Sequence, residues 1–166
     1  MRTSGIRTRR VVVAVSASLV AASSAATTSA AIRPGYGLAG VQLWMTEAKV
    51  RTRLGPPRHV ATSLSALGVP VTQMYYRGLE VDVQRIKGRL VVMRVLTTRR
   101  NERTASGVGV GSSGRAVRRL RGAHCDRRYC QVNTVRKPVF SFTMFWFDRK
   151  DRVRMVSISL AVLNLR

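Results

Sequence analysis

The stretch that decides the fold is 79-LEVDVQRIKGRLVVMRVL-96, in which apolar and polar residues alternate before a turn at Lys87-Gly88. Alternation with a period of two places successive side chains on opposite faces of a strand, so the stretch predicts an antiparallel hairpin. One face of the first strand carries Leu79, Val81 and Val83. The other face carries Glu80, Asp82 and Gln84. This division predicts a sheet that is covered on one side only.

A second hairpin is predicted from Phe142 to Leu160, with its turn at Lys150-Asp151. The apolar trio that matches the covered face of the first hairpin is Phe142, Met144 and Trp146. The pattern then places Thr143, Phe145 and Phe147 on the solvent side. Exposed aromatic side chains often mark contact sites, so Phe145 and Phe147 are candidates for binding a partner. The alternative is that both pack under the loop between Cys125 and Cys130 or against the rest of the protein.

A short helix is predicted before each hairpin. Residues 40–55 can be laid over residues 107–122, and both segments read as an apolar lead-in, a hydroxyl residue, a helix and a glycine. Thr46 is the expected N-cap of the first helix, and Ser112 or Ser113 that of the second. The sequence therefore predicts an α+β fold of two tandem repeats, residues 32–99 and 100–166. Each repeat is a short N-terminal helix followed by an antiparallel β-meander.

Residues 41–56, with Trp44-Met45-Thr46 and Leu54-Gly55-Pro56, resemble the opening of the BamE-like (SmpA-like) outer-membrane lipoprotein domain. Two such units in tandem are similar in architecture to the β-lactamase inhibitory protein. The resemblance implies that the two sheets join into one curved sheet whose exposed face docks a partner protein. Trp44 stands where the outer-membrane family has a glycine, and that family's lipid-bearing cysteine is absent.

The amino end has the layout of a secretory signal peptide. Four arginines precede an apolar run from Val11 to about Ala22, and small residues follow. The run is shorter than the roughly 20 residues that a membrane-spanning helix needs. We expect residues 1–31 to be removed by cleavage after Ala30 or Ala31, which leaves a secreted or cell-wall-associated protein without a transmembrane span. Arg9-Arg10 also fits a twin-arginine signal, so the export route stays open.

The chain is strongly basic, with a net charge of +23 from 30 basic and 7 acidic residues. Removing the signal takes away four arginines and no acidic residue, which leaves a charge of +19. Such a field attracts an anionic wall polymer, acidic lipid, nucleic acid or an acidic protein. The alternative is a coding bias that puts arginine on ordinary solvated faces. The basic helix residues that would hold a polyanion are Arg51, Arg53, Arg115, Arg118 and Arg119.

Cys125 and Cys130 are the only cysteines. In an oxidising compartment such a pair usually forms a disulfide across a short loop. A zinc site would need more ligands nearby than His124. We therefore predict a disulfide and no metal.

Motifs that would carry enzymatic chemistry are weak. Residues 109–114 match the pattern G-x-G-x-x-G. Because antiparallel strands follow this segment, a loop and helix cap is favoured over a dinucleotide site. His59 and His124 are the only histidines, and no nucleophile–base–acid arrangement is recognisable. Glu80 and Asp82 are a close carboxylate pair, but glycosidase carboxylates normally come from separate strands. We predict neither a catalytic activity nor a cofactor, and no nucleic-acid partner.

The sequence thus predicts a secreted, non-enzymatic binding module that docks a protein through its exposed sheet face. The candidate partner-binding residues are Tyr76, Glu80, Asp82, Gln84, Phe145 and Phe147. The alternative is a basic envelope protein held electrostatically on anionic wall polymer or lipid.

Overall fold

The computed structural model describes residues 31–65, 68–136 and 139–161. Strands make up 54% of these residues and helices 10%. The helices are α1 (Glu47–Leu54) and α2 (Gly114–Arg118). The strands are β1 (Ile32–Arg33), β2 (Gly37–Leu38), β3 (Val41–Gln42), β4 (His59–Leu64), β5 (Pro70–Tyr76), β6 (Leu79–Ile86), β7 (Arg89–Thr97), β8 (Ala123–Cys125), β9 (Tyr129–Arg136), β10 (Val139–Phe147) and β11 (Val153–Ala161).

The strands form one large and one small antiparallel sheet. The large sheet has eight strands in the order β4-β5-β6-β7-β11-β10-β9-β8. Strands β4–β7 form one half of this sheet and β8–β11 the other, each built from consecutive hairpins. The halves meet where β7 pairs with β11, from Arg94↔Ser159 to Thr97↔Val156. The small sheet has the order β1-β2-β3. Consecutive antiparallel strands need only short connections, which explains the meandering order within each half.

The predicted hairpin over residues 79–96 is confirmed. Val81 pairs with Val95, and Leu79, Val81 and Val83 are all at most 2% exposed. Lys87 and Gly88 form the turn with φ values of 47° and 77°, the left-handed region that a two-residue hairpin turn requires. A bulge shifts the register between Asp82 and Val83. The alternation in this segment was therefore sufficient to assign its faces.

The two helices begin at the predicted hydroxyl caps. The Thr46 side chain accepts a hydrogen bond from the backbone N–H of Lys49, and that of Ser113 accepts one from Ala116. Gly55 ends α1 at φ 78°. Each helix buries one aliphatic residue completely, Val50 in α1 and Val117 in α2. Since a single buried side chain supports so short a helix, its position depends on packing against the sheet.

The segments before the helices are tied to the large sheet by backbone hydrogen bonds. Trp44 N–H donates to the Val92 carbonyl at 2.9 Å, and Val92 N–H donates to the Met45 carbonyl at 2.8 Å. Gly111 N–H donates to the Val153 carbonyl at 2.7 Å, and Val153 N–H donates to the Ser112 carbonyl at 2.9 Å. These bonds continue the ladder beyond the strands and hold each helix against the sheet.

The main core lies on one side of the large sheet, which we call the core face. Both helices and the small sheet cover that side. They contribute Ile32, Leu38, Val41, Val50 and Val117 to the same cluster as the sheet residues Val81, Val95, Phe145, Val156 and Ile158. Each of these residues is at most 1% exposed. The apolar faces of all these elements are thus removed from water together.

The predicted α+β class with two helix-plus-meander repeats is wrong. The protein is mostly β, with one continuous eight-stranded sheet, a three-stranded sheet beside it and two helices of 8 and 5 residues. Helical caps were read correctly, but the caps enclose only one or two turns. The sequence expectation also missed β1–β3, whose strands are two residues long and therefore too short to show an alternation.

The predicted disulfide is present, between Cys125 of β8 and Cys130 of β9. A disulfide is compatible with an extracellular location. Of the predicted signal peptide, residues 1–31, only Ala31 lies within the described residues. Within the described ranges no helix combines the length and the apolar character that crossing a bilayer requires.

Glu102, in the loop after β7, is a buried carboxylate at 4% exposure. Its Oε2 atom has no hydrogen-bond partner among the described residues, and Arg99 Nη1 lies 3.5 Å from Oε1. Burial raises the pKa of Glu102 above its ordinary value of 4.5, and the Thr97 hydrogen bond and Arg99 offset the burial only in part. The Glu102 carboxyl group therefore stays protonated in the folded protein at pH values where it is ionised in the unfolded chain.

We expect protonation of Glu102 to stabilise the fold. As the pH falls from neutral towards 4.5, the free energy of unfolding should rise, and Glu102→Gln should make that rise smaller. Burial also raises the pKa of Glu80, so part of the rise should persist in the variant. Urea unfolding at a series of pH values measures both profiles. Identical profiles for the variant and the wild type would contradict this account.

Candidate functional site

The candidate site is the side of the large sheet that faces away from the helices, which we call the open face. Residues paired in register share a face, so the pairing defines three rows across it. The first row is Tyr75, Glu80, Leu96, Ser157, Met144 and Gln131. The second row is Gln73, Asp82, Arg94, Ser159, Phe142 and Asn133. The third row is Met155, Trp146 and Tyr129.

A charged cluster lies in the first half of this face. Arg94 Nε donates to Asp82 Oδ2 at 2.8 Å, and Arg94 Nη2 donates to Glu80 Oε1. The Asp82 side chain is 11% exposed and that of Glu80 20%. Burial raises the pKa of Glu80, and Arg94 opposes that effect. Asp82 Oδ1 is buried without a hydrogen-bond partner among the described residues. One arginine thus bridges two carboxylates and holds them in place.

Large apolar side chains lie on the same face, beside this cluster and on β10 and β11. They are partly exposed and comprise Tyr75, Leu96, Phe142, Met144, Trp146 and Met155. The ring centroids of Tyr129 and Trp146 lie 5.2 Å apart, and those of the stacked His59 and Tyr75 lie 5.7 Å apart. Partly exposed apolar side chains that share a face with a few oriented polar groups are typical of a contact site.

The residues predicted to bind a partner lie on two different faces of the large sheet. Glu80, Asp82 and Gln84 lie on the open face, opposite the buried Leu79, Val81 and Val83. Tyr76 pairs with Leu79 and packs against the main core, so it belongs to the core face. Its hydroxyl group is buried without a hydrogen-bond partner among the described residues.

The placement of Phe145 and Phe147 on the solvent side is wrong. Phe145 is 0% exposed and Phe147 7%. Phe145 pairs with Val156 on one side and with Cys130 on the other, so it faces the core beside the disulfide. The alternative, in which these rings pack under the cysteine loop or against the rest of the protein, is therefore the one that the structure supports.

Because the two faces of β10 are the reverse of those predicted, the site contains residues that were not predicted to bind a partner. Phe142, Met144 and Trp146, which the pattern placed in the core, lie on the open face. In β10 nearly every residue from 142 to 147 is apolar, so alternation alone does not distinguish the faces. Thr143 is polar and was therefore predicted to face solvent, but it is fully buried. Its hydroxyl accepts a hydrogen bond from the Gly35 N–H at 2.8 Å.

The five helix arginines do not act as one set. Arg51 pairs with Glu47 at 2.7 Å, and Arg118 pairs with Asp151 at 2.8 Å. Arg53 packs against Gly40. Arg115 and Arg119 are exposed and form no salt bridge with a described residue. Two of the five charges are thus partly neutralised by neighbouring carboxylates.

The glycine-rich segment 109–114 serves the loop and the cap of α2. Gly109 N–H donates to the Ser112 hydroxyl at 3.1 Å, and Ser113 caps the helix. The Asp151 carboxylate lies against Gly114, where a Cβ atom would sit within 2.3 Å of Oδ1. A carboxylate at the helix start repels a phosphate, so the segment does not fit a dinucleotide site.

Among the described residues no three His, Cys, Asp or Glu side chains lie together as metal ligands would. No family model, no curated protein and no solved structure matches the chain. The resemblance to BamE-like domains and to the β-lactamase inhibitory protein therefore stays a prediction.

Proposed function

We propose that this protein is a secreted, non-enzymatic binding module whose open face docks an acidic partner protein. The observation that carries the proposal is the nature of the open face. Apolar side chains of four strands lie partly exposed on it, around carboxylates that Arg94 fixes in position. Protein interfaces combine such an apolar surface with a few oriented polar groups, and aromatic and Met residues are enriched in them.

The open face is held in place by the core on its other side. Leu96 and Ser157 alternate with Val95, Val156 and Ile158, which are 0% exposed. Because these neighbours are fixed in the core, the backbone under the open face is rigid before any partner arrives. A preordered surface loses little conformational entropy on binding, which favours affinity.

The charge of the protein selects the kind of partner. Without the predicted signal peptide, the net charge of +19 repels basic proteins and attracts acidic ones. Complementary potentials also increase the rate of association. An acidic protein with an apolar surface patch therefore complements the field of the molecule and the apolar part of its open face.

The positions of the titratable groups favour binding over catalysis. His59 lies in β4 and His124 in β8, at opposite edges of the large sheet. Both cysteines are joined in a disulfide. Glu80 and Asp82 share Arg94 as their partner. These groups therefore do not assemble into a nucleophile, a base and an orienting residue.

The test replaces apolar residues of the open face and follows partner capture. We expect Phe142→Ser with Met144→Ser to remove a partner that the immobilised wild type retains from the secreted proteins of the producing organism. Retention should persist at high salt, since an apolar contact is screened little. With the partner purified, calorimetry should show an affinity loss of about tenfold or more.

The matched control removes two exposed apolar residues elsewhere. Val60 and Leu64, on the edge strand β4, are 42% and 70% exposed. Val60→Ser with Leu64→Ser should leave the affinity unchanged. The docking proposal fails if both double variants retain the same proteins as the wild type, or if all retention disappears at high salt.

A further inference from the structure

A basic cleft lies at one end of the large sheet, between two tight turns. It has a volume of about 590 Å³ and is lined by Arg127, Arg128, Trp146, Phe147, Asp148, Arg149 and Arg154. The first turn, residues 126–129, joins β8 to β9, and the second, residues 148–152, joins β10 to β11. We call this feature the arginine cleft. Its four arginines are exposed, and Trp146 is partly exposed beneath them.

The backbone that carries these arginines is fixed. The Asp126 carboxylate accepts hydrogen bonds from the N–H groups of Arg128 and Tyr129, and the disulfide closes the same turn. The Asp148 carboxylate accepts from the N–H groups of Lys150 at 2.8 Å and Arg152 at 2.9 Å. Phe147 N–H donates to the Arg128 carbonyl at 2.8 Å, which links the two sides of the cleft. The arginines thus project from a rigid frame.

The cleft has a net positive charge, because four arginines and one carboxylate, that of Asp148, line it. Asp126 and Asp148 direct their carboxylates to backbone N–H groups, which lower the pKa of both. Neither forms a salt bridge with a described residue, and the same holds for Arg127, Arg128, Arg149 and Arg154. Four exposed arginines therefore line one cleft without a salt-bridge partner among the described residues. Positive charges grouped in this way repel one another unless an anion lies between them.

We propose that the arginine cleft is a binding site for phosphate groups, whether free or carried on a lipid headgroup. A guanidinium group presents its donors as a planar fork that matches the oxygens of a phosphate. The Trp146 ring, in contact with Tyr129 at 5.2 Å, adds a flat apolar wall for the ring or chain that bears the phosphate. The site shares Trp146 and Tyr129 with the edge of the open face but is distinct from the charged cluster around Arg94, and it does not depend on the proposed docking function.

The experiment uses Trp146 as the reporter. Trp44, the other tryptophan, is replaced by phenylalanine so that fluorescence reports on the cleft alone. Tripolyphosphate tests free phosphate, phosphatidylglycerol vesicles test a lipid headgroup, and polyglutamate tests carboxylates. We expect saturable quenching by tripolyphosphate or by the vesicles, which also identifies the source of the phosphate. Tighter binding of polyglutamate than of either would overturn the assignment to phosphate.

Two charge-matched variants locate the site. Arg127→Gln with Arg154→Gln should lower the affinity about tenfold or more, because it removes two guanidinium groups from the cleft. Arg115→Gln with Arg119→Gln removes the same charge from α2 and should change the affinity less than about threefold, since only the long-range field is reduced. Arg149→Gln alone provides a milder test, and circular dichroism checks that each variant is folded. Equal losses in the two double variants would overturn the proposal, as would no loss in either.

Discussion

Phe145→Ala is expected to lower the free energy of unfolding by about 3–5 kcal/mol, the range for removing a buried phenylalanine ring. The ring is 0% exposed and lies between Val156 and Cys130 on the core face. The helices and the small sheet lie over this layer, so the cavity left by the ring does not collapse easily. Chemical denaturation followed by circular dichroism measures the change.

The matched control is Phe142→Ala, in the same strand but on the open face. Phe142 is partly exposed, so its removal should cost about 1 kcal/mol or less. The difference between the two variants reports directly on which face of β10 is buried. A larger loss for Phe142→Ala than for Phe145→Ala would contradict the face assignment.

Reducing the disulfide is the second change with a large expected effect. Opening a loop as short as Cys125–Cys130 should cost about 2 kcal/mol through the entropy regained by the unfolded chain. Because β8 has three residues and β9 is its neighbour in the sheet, the bond also holds the edge of the sheet in register. Urea unfolding with and without a reductant measures the loss.

The control for this prediction is the Cys125→Ser, Cys130→Ser double variant. Cys130 is 0% exposed, so its serine hydroxyl adds a cost of burial that reduction does not. We therefore expect the double variant to be less stable than the reduced wild type and insensitive to reductant. A reductant effect on the double variant, or none on the wild type, would rule out the disulfide as the cause.

Local chemistry made part of the fold predictable. The hairpin at 79–96 has strict alternation and a Lys-Gly turn, Thr46 and Ser113 are caps, and the cysteines form the disulfide. Each of these features depends on residues close together in the chain. The polar half of the open face, with Glu80, Asp82 and Gln84, followed from the same hairpin.

The other half of the open face was assigned to the wrong side for a physical reason. In β10 both faces are apolar, one because it is in the core and the other because it forms the aromatic part of the open face. A one-residue error in such a strand exchanges Phe145 with Met144 or Trp146 without breaking any local rule. The correct choice depends on Val156 and Ile158, which reach Phe145 and Thr143 only through the pairing of β10 with β11.

The pairing of β7 with β11 has a consequence for the time course of folding. The hairpins in each half connect residues that are close along the chain, whereas residues 94–97 must find residues 156–159 with all of β8 to β10 in between. Closing so long a loop slows the search, so this contact should set the folding rate. Until it forms, Val95 and Ile158 remain in water, and the nascent chain is most prone to aggregate during that interval.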